Sequence, residues 1–364
     1  FGGHQFRSPE NERGGAMNMR RAIVESSNVY FYSLANDLGV DLIHDQNEPL
    51  GFGRLTGIDL KGEVTGILPS TDWKRRTYRR PEQKKWYAGE TISLGIGQGY
   101  NNFTILQIAT ALSTLAADGQ RFQPRVVREI EDVVTRQRRV VSSQALAPLV
   151  YNPEHTAFVR EAMHGVTVEG TGTRVFAGAG YQSGGKTGTA QAVGLKAGEK
   201  YVASRMGEYQ RDHSLYEAFA PIDHPRIALA IIVENAGFGA QAAAPIARRV
   251  LDYVLMGEYP SEEDIAAVQV GQATAPIGVR RRVEDVPLPT MADSYGNDIP
   301  VGPAVLPNAA AAGASAPARS ASGVAVPSSA PSRPSAPASG VASSPMAVAS
   351  RARVLQPAAS QVRP

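Results

Sequence analysis

The stretch "SGGKTGTAQ", Ser183 to Gln191, supports three incompatible readings, each with its own fold. With Gly180 in front it spells Gly180-x-x-x-x-Gly185-Lys186-Thr187, a phosphate-binding loop between a buried strand and a helix. Taken from Ser183 it spells Ser183-x-x-Lys186, a nucleophile and its lysine facing each other across one helical turn. Taken from Lys186 it spells Lys-Thr-Gly on a strand bordering a substrate groove. There Lys186 supplies positive charge, Thr187 and Thr189 turn hydroxyls toward a carboxylate, and Gly188 admits a ligand backbone.

Local physics ranks the three without closing the question. A phosphate loop needs a helix after Thr187, but "GTAQAVGLKAGEK" has no apolar periodicity and carries Gly188, Gly194 and Gly198. Each glycine in a helix interior costs about 1 kcal/mol relative to alanine. The run "ALAIIVE", ending at Glu234, could still stand as the acidic strand such a site requires. The Ser183-x-x-Lys186 turn would have to nucleate through Gly184 and Gly185, a poor start for a helix. The strand reading demands least of its neighbours, yet three residues alone are a weak signal.

The 364 residues suffice for one large domain or two ordinary ones, and 43% hydrophobic content can fill a core. A net charge of +3 is too small to argue for a nucleic-acid partner. Cysteine is absent, which excludes a disulfide framework and thiolate zinc sites and leaves the compartment open. The longest apolar run, "IALAIIV" from Ile227 to Val233, is far below the roughly 20 residues a bilayer needs. The opening "FGGHQFRSPENERGG" has no initiator methionine and reads as loop, so the chain is expected to be a fragment.

Helical periodicity covers Met17 to Glu25, breaks at "SSN", and resumes through "VYFYSLANDLG", with Asn28 as a candidate cap and Gly39 as the stop. From Leu50 to Ser70 loops and short strands are expected, and "KRRTYRRPEQKK", Lys74 to Lys85, reads as a solvated basic loop. "NNFTILQIATALSTLAADG" predicts a helix ending at Gly119, and "NPEHTAFVREAMHGVTVEG" another with Pro153 in its first turn. "HSLYEAFAPIDHPRIALAIIVENAG" predicts an antiparallel hairpin turning at "DHP". "APIARRVLDYVLMGE" predicts a helix burying Ile246, Val250, Leu251 and Val254. From Asp264 the composition shifts to Ala, Pro and Ser, with too little to bury to offset chain entropy, so residues 264–364 are expected to be a disordered tail. The fold class that follows is α+β, a terminal helix covering an antiparallel sheet.

A second motif strengthens the Lys-Thr-Gly reading. Ser26-Ser27-Asn28 is a Ser-x-Asn at the break between two helices, and it precedes the strand motif by about one small domain. Together with "GFGRLTGIDL", "KKWYAGETISLGIGQGY", "GGKTGTAQAVGLKA" and "AFAPIDHPRIALAIIVENAG", it makes residues from about Met17 to Glu258 resemble the C-terminal part of class B penicillin-binding proteins, in particular those of cell-wall elongation.

The resemblance implies the serine β-lactamase/transpeptidase-like fold, with an antiparallel sheet flanked by helices, in residues 1–263. It implies a D,D-transpeptidase that cross-links peptidoglycan stem peptides through an acyl-enzyme and is acylated by β-lactams. No cofactor is implied. Implied partners are the stem peptides and a membrane glycan polymerase, with the domain on the periplasmic side of the inner membrane. On this chain Ser26 would relay a proton, Asn28 would hold the substrate amide, and Lys186 would set the groove's electrostatics. Ser27, Thr187, Gly188 and Thr189 would bind substrate, with the N–H of Thr189 in the oxyanion hole.

The chain departs from the pattern at two points. The family's nucleophilic Ser-x-x-Lys lies upstream of Ser-x-Asn, where this chain offers only Ser8 followed by Pro9. Some relatives bind zinc through a Cys and a His at positions that here appear as Ser27 and Gly14, so no metal is expected, and His4 is expected to be a solvated loop residue. A serine β-lactamase or β-lactam sensor would share the motifs, though a hydrolase needs a deacylating base the sequence does not declare. A non-catalytic binding module is the other alternative.

Overall fold

The structure, a computed structural model, describes residues 15–193, 206–272, 274–286, 290–292 and 298–300. All of them fall in one unit, Phe1–Leu306. The opening residues with His4, and the Ala/Pro/Ser-rich sequence after 300, lie outside the described residues.

Two helices flank the Ser-x-Asn. Helix α1 (Met19–Glu25) starts at Asn18, whose side chain accepts the N–H of Arg21 at 2.8 Å. It stops because Ser26 takes a left-handed conformation, φ 60° and ψ 50°, which turns its N–H and that of Ser27 back to the carbonyls of Ile23 and Ala22. Helix α2 (Asn28–Leu38) begins immediately afterwards. Its cap is Ser27, whose hydroxyl accepts the N–H of Tyr30, so Asn28 is the first helical residue instead of the expected cap. Gly39 ends α2 as expected and leads into α3 (Val40–Asn47).

The basic run is not a solvated loop. It forms α4 (Thr71–Thr77) and α5 (Pro81–Lys84), and Lys74 is only 2% exposed. Its ammonium donates to Glu90 on α6 (Ala88–Leu94) at 2.5 Å, with the rings of Trp86, Tyr87 and Tyr100 5.3 to 5.4 Å away. The partners come from "WYAGE" and Tyr100, which a charge count over the run alone does not see.

Next come α7 (Ile105–Ala116), the short strands β1 (Arg121–Phe122), β2 (Glu129–Glu131), β3 (Arg138–Val140) and β4 (Ala145–Leu146), then α8 (Pro153–Val168) and α9 (Thr173–Phe176). Strands β5 (Gly184–Ala190), β6 (His213–Ala220) and β7 (Ile227–Val233) form one antiparallel sheet in the order β5-β6-β7, which leaves β5 at an edge. Alternation along β6 builds the core on both faces. Tyr216, Ala218 and Ala220 pack with Ala243, Ala244, Ala247 and Leu251 of α10 (Ala243–Met256), while Phe219 packs with Leu112 of α7 and Met163 of α8. Helices therefore cover both faces of the sheet.

The buried face of α10 is not the expected one. Leu251 is buried, but Val250 is 38% exposed, and the inward stripe is Ala243, Ala244, Ala247, Arg248, Leu251 and Asp252. Small alanines let the helix approach the sheet closely. Arg248 is fully buried, paired with Asp252 at 2.7 Å and donating to the carbonyls of Val175 and Ala177.

Order also extends past Asp264. After β8 (Glu258–Tyr259), helix α11 (Glu262–Gln269) places the buried Asp264 carboxylate on the Arg249 guanidinium through two bonds of 2.5 and 3.0 Å. Strand β9 (Arg281–Arg282) then pairs back on β8. The boundary read at Asp264 is thus too early, because that window mixes a short charged helix with alanines that resemble the tail.

Candidate active site

The strand reading of Ser183 to Gln191 holds. Lys186 lies in the middle of β5, extended and paired with β6, and the chain after Thr187 continues as strand to Ala190 instead of opening a helix that could cradle phosphate. Ser183 precedes the strand and is only 2% exposed, its carbonyl accepting the hydroxyl of Thr167 at 2.8 Å. Three residues of extended chain separate it from Lys186 by about 10 Å, so the two do not face each other as the helical tetrad requires.

Gly185 is needed by packing. A Cβ there would sit 2.2 Å from the Tyr216 hydroxyl on the neighbouring strand. The close backbone approach expected at Gly188 is made possible by another glycine. Gly239 lies over β5, where a Cβ would come within 2.5 Å of the Gly188 carbonyl oxygen and 2.3 Å of that of Leu215.

Beside the edge strand stands the helix break. The Lys186 ammonium donates to Ser26 Oγ at 2.7 Å and to the Thr187 carbonyl at 2.9 Å. Two residues 160 positions apart are thereby joined, as the motif order implies. Ser26 holds its hydroxyl there from the left-handed backbone that ends α1, a sparsely populated conformation for a residue with a side chain. Asn28, half-buried, opens α2 two residues further on. Ser27 corrects the expectation of a substrate contact. It is 1% exposed and its hydroxyl caps α2, so it supports the motif from inside.

Carbonyls of Thr187 and Thr189 accept from the Lys186 ammonium and from Gln98 Nε2 (3.2 Å), side-chain donors that are not part of the β5–β6 ladder. In an antiparallel strand the N–H and C=O of one residue point the same way, so the N–H groups of Thr187 and Thr189 also face the open edge of β5. The Thr187 hydroxyl is 2.8 Å from that of Thr171 in the turn between α8 and α9.

Electrostatics follow from desolvation. Loss of water pulls Lys186 down to about 8, against the pull of the Glu217 carboxylate in the other direction. Glu217 is the direct cross-strand partner of Lys186, and burial pushes it up to about 7, partly offset by the ammonium. Sequence reading missed Glu217, Gln98 and Thr171. Only strand register places the first, and only tertiary contact the other two.

The bond from the edge-strand Lys-Thr-Gly to the serine of a Ser-x-Asn between two helices brings together two of the three motifs carried by penicillin-binding proteins. The chain belongs to the penicillin binding protein transpeptidase domain family, whose model matches residues 2–252. Over 263 residues it is 37% identical to the peptidoglycan D,D-transpeptidase MrdA of Haemophilus influenzae, covering 71% of this chain and 39% of that protein. The MrdA of Escherichia coli K12 is 36% identical over 248 residues, 67% of this chain and 38% of that protein. Among solved structures, PBP2 of Pseudomonas aeruginosa in complex with WCK 5153 superposes with a TM-score of 0.56 at 32% identity, covering 70% of this chain and 51% of that one. The chain spans about two fifths of the length of the curated relatives it matches.

Proposed function

We propose that this chain is part of the catalytic domain of a peptidoglycan D,D-transpeptidase of cell-wall elongation and a target of β-lactams. The observation that carries the reading is the 2.7 Å bond from Lys186 Nζ to Ser26 Oγ, since it joins two sequence-distant motifs in one groove. In the proposed reaction a serine attacks the carbonyl of the penultimate D-alanine of a donor stem peptide. The terminal D-alanine leaves as its nitrogen takes a proton, and an acceptor amine then displaces the serine from the acyl group. The attacking serine is assigned to a segment of the longer protein, because the only Ser-x-x-Lys here is the buried, extended Ser183.

Each residue then has a task. Lys186 with Ser26 forms a proton path to the leaving nitrogen, a role worth about 10²–10⁴ in rate. Asn28 holds the donor amide from the start of α2. Thr187 and Thr189 take the donor carboxylate on the open edge of β5, where Gly188 leaves room, and the Thr189 N–H serves the oxyanion. The placement is the periplasmic face of the bacterial inner membrane; among the described residues no helix is long and apolar enough to cross a membrane. A glycan polymerase is the partner we assign, in keeping with a 29% identical neighbour titled a peptidoglycan synthase complex that coordinates polymerization and crosslinking.

The test is covalent labelling by a fluorescent penicillin. The full-length protein should be labelled stoichiometrically, and Lys186→Ala and Asn28→Ala should slow labelling by about 10²-fold or more with little loss of stability. The 364-residue chain alone should not be labelled. Wild-type labelling rates in both variants would remove the two residues from the site, and a penicillin-competable band from the short chain would place the nucleophile at Ser26 or Ser183.

A further inference from the structure

The site as described leaves one acidic group without a task. Glu217 stands directly opposite Lys186 in the β5–β6 register, and its other cross-strand neighbour, Ala230 on β7, is apolar. Since the odd-numbered carbonyls of β5 face outward, Lys186 and Glu217 form the hydrogen-bonded type of antiparallel pair. Their Cα atoms lie about 5.5 Å apart and their side chains leave the same face. That face carries Phe219 and is covered by α7, whose residues from Ile105 to Ala116 include no ionisable side chain.

The charged side chains that α8 and α10 bring to this sheet are engaged elsewhere. On α8, Arg160 pairs with Asp118 and donates to the Ile222 carbonyl, and Glu161 is held by Arg20. His164 lies against the Ser183 carbonyl. On α10, Arg248, Arg249 and Asp252 belong to the opposite face and are bound within their own network. Among the described residues, the charge placed opposite Glu217 is therefore the ammonium that donates to Ser26.

We propose that Glu217 is a positioning residue for the transpeptidase site, its carboxylate holding the proton on Lys186 and so setting the alkaline limit at which the Lys186–Ser26 pair works. An ammonium desolvated in a cleft loses its proton early unless a negative charge stands within about 4–6 Å. Glu217 supplies that charge from the neighbouring strand, on the same face of the sheet, while the ammonium itself donates to Ser26. It touches neither substrate nor reacting atoms and acts through Lys186 alone. The direction of both shifts, Lys186 to about 8 and Glu217 to about 7, agrees with a pair in which the lysine holds the proton and the carboxylate is ionised between those values.

This inference rests on the proposed function for its activity readout only, and a second readout tests it separately. In full-length protein carrying ¹³C-methylated lysines, the Lys186 resonance, assigned by its loss in Lys186→Met, is followed from pH 6 to 10. Glu217→Gln keeps the shape of the side chain and should lower the Lys186 midpoint by on the order of one pH unit. The alkaline limb of the penicillin-acylation rate should move down by the same amount, with the rate at the optimum kept within a few-fold. An unmoved lysine midpoint overturns the proposal even if the enzyme is labelled by penicillin. An enzyme that is not labelled at all, with the midpoint moved, removes the activity reading and leaves the pairing standing. Should Glu217→Gln not fold, the reciprocal measurement decides. In Lys186→Met the Glu217 carboxyl, read by ¹³C NMR, must titrate above about 7, and a lower or unchanged midpoint counts against the pair.

Discussion

Lys186 acts on three neighbours at once, donating to Ser26 and to the Thr187 carbonyl while facing Glu217 across the strand pair. Its position near 8 makes the groove's charge pH-dependent in the working range. The protonated form carries the positive charge, so attraction for a donor carboxylate is full well below pH 8 and is lost as pH rises through it. The expected outcome is that acylation by an anionic penicillin slows above pH 8 mainly through weaker binding, checked by separating the binding constant from the acylation rate across pH 6.5 to 9.5. A binding constant flat across that range would contradict the assignment. The sequence showed Lys186, Thr187 and Thr189 because their types and spacing are local. It did not show Glu217, whose place depends on which residue of β6 faces which of β5, a register that a one-residue slip would reverse.

At the scale of elements, the helix break between α1 and α2 is legible because "SSN" interrupts a 3.6-residue apolar pattern, but the division of labour within it is not. Ser27 caps and is buried, whereas Ser26 bends the chain and meets Lys186. Ser27→Ala should therefore cost about 1 kcal/mol of stability through the lost cap, with penicillin acylation close to wild type. A chemical-denaturation series beside a labelling time course checks both halves. A collapse of labelling at unchanged stability would return Ser27 to the substrate side. The basic run teaches the converse lesson. Five positive charges precede Pro81 in "KRRTYRRP", yet tertiary packing selects Lys74 alone for burial among three aromatic rings and Glu90. Lys74→Met keeps most of the volume but leaves Glu90 without its ammonium in a desolvated place, an expected loss of about 3–5 kcal/mol. Denaturant midpoints measure it, and a loss no larger than that of an exposed neighbour such as Arg76→Met would mean the cluster is solvated after all.

Across the molecule, the packing of a terminal helix on an antiparallel sheet could be read from the order of periodicities, while the helices on the sheet's other face and the end of the ordered unit could not. Composition places it near Asp264, but Asp264 is fully buried and holds the Arg249 guanidinium of α10, with Ser261 capping α11 and β9 closing on β8. Arg249 is itself buried on the helix that covers the sheet behind Tyr216 and Ala218. A cut just before Asp264 removes the only carboxylate bonded to that arginine among the described residues and leaves a cation uncompensated in the interior, worth about 3–5 kcal/mol. The full-length protein ended at Glu263 should therefore melt lower than one ended at Leu306 by on the order of 10 °C. Asp264→Asn should reproduce most of that loss without any truncation, because it keeps the shape and removes the charge. Differential scanning calorimetry of the three proteins decides the matter. If ending the chain at Glu263 leaves the melting temperature where Leu306 leaves it, α11 contributes nothing to the fold and the composition boundary at Asp264 stands.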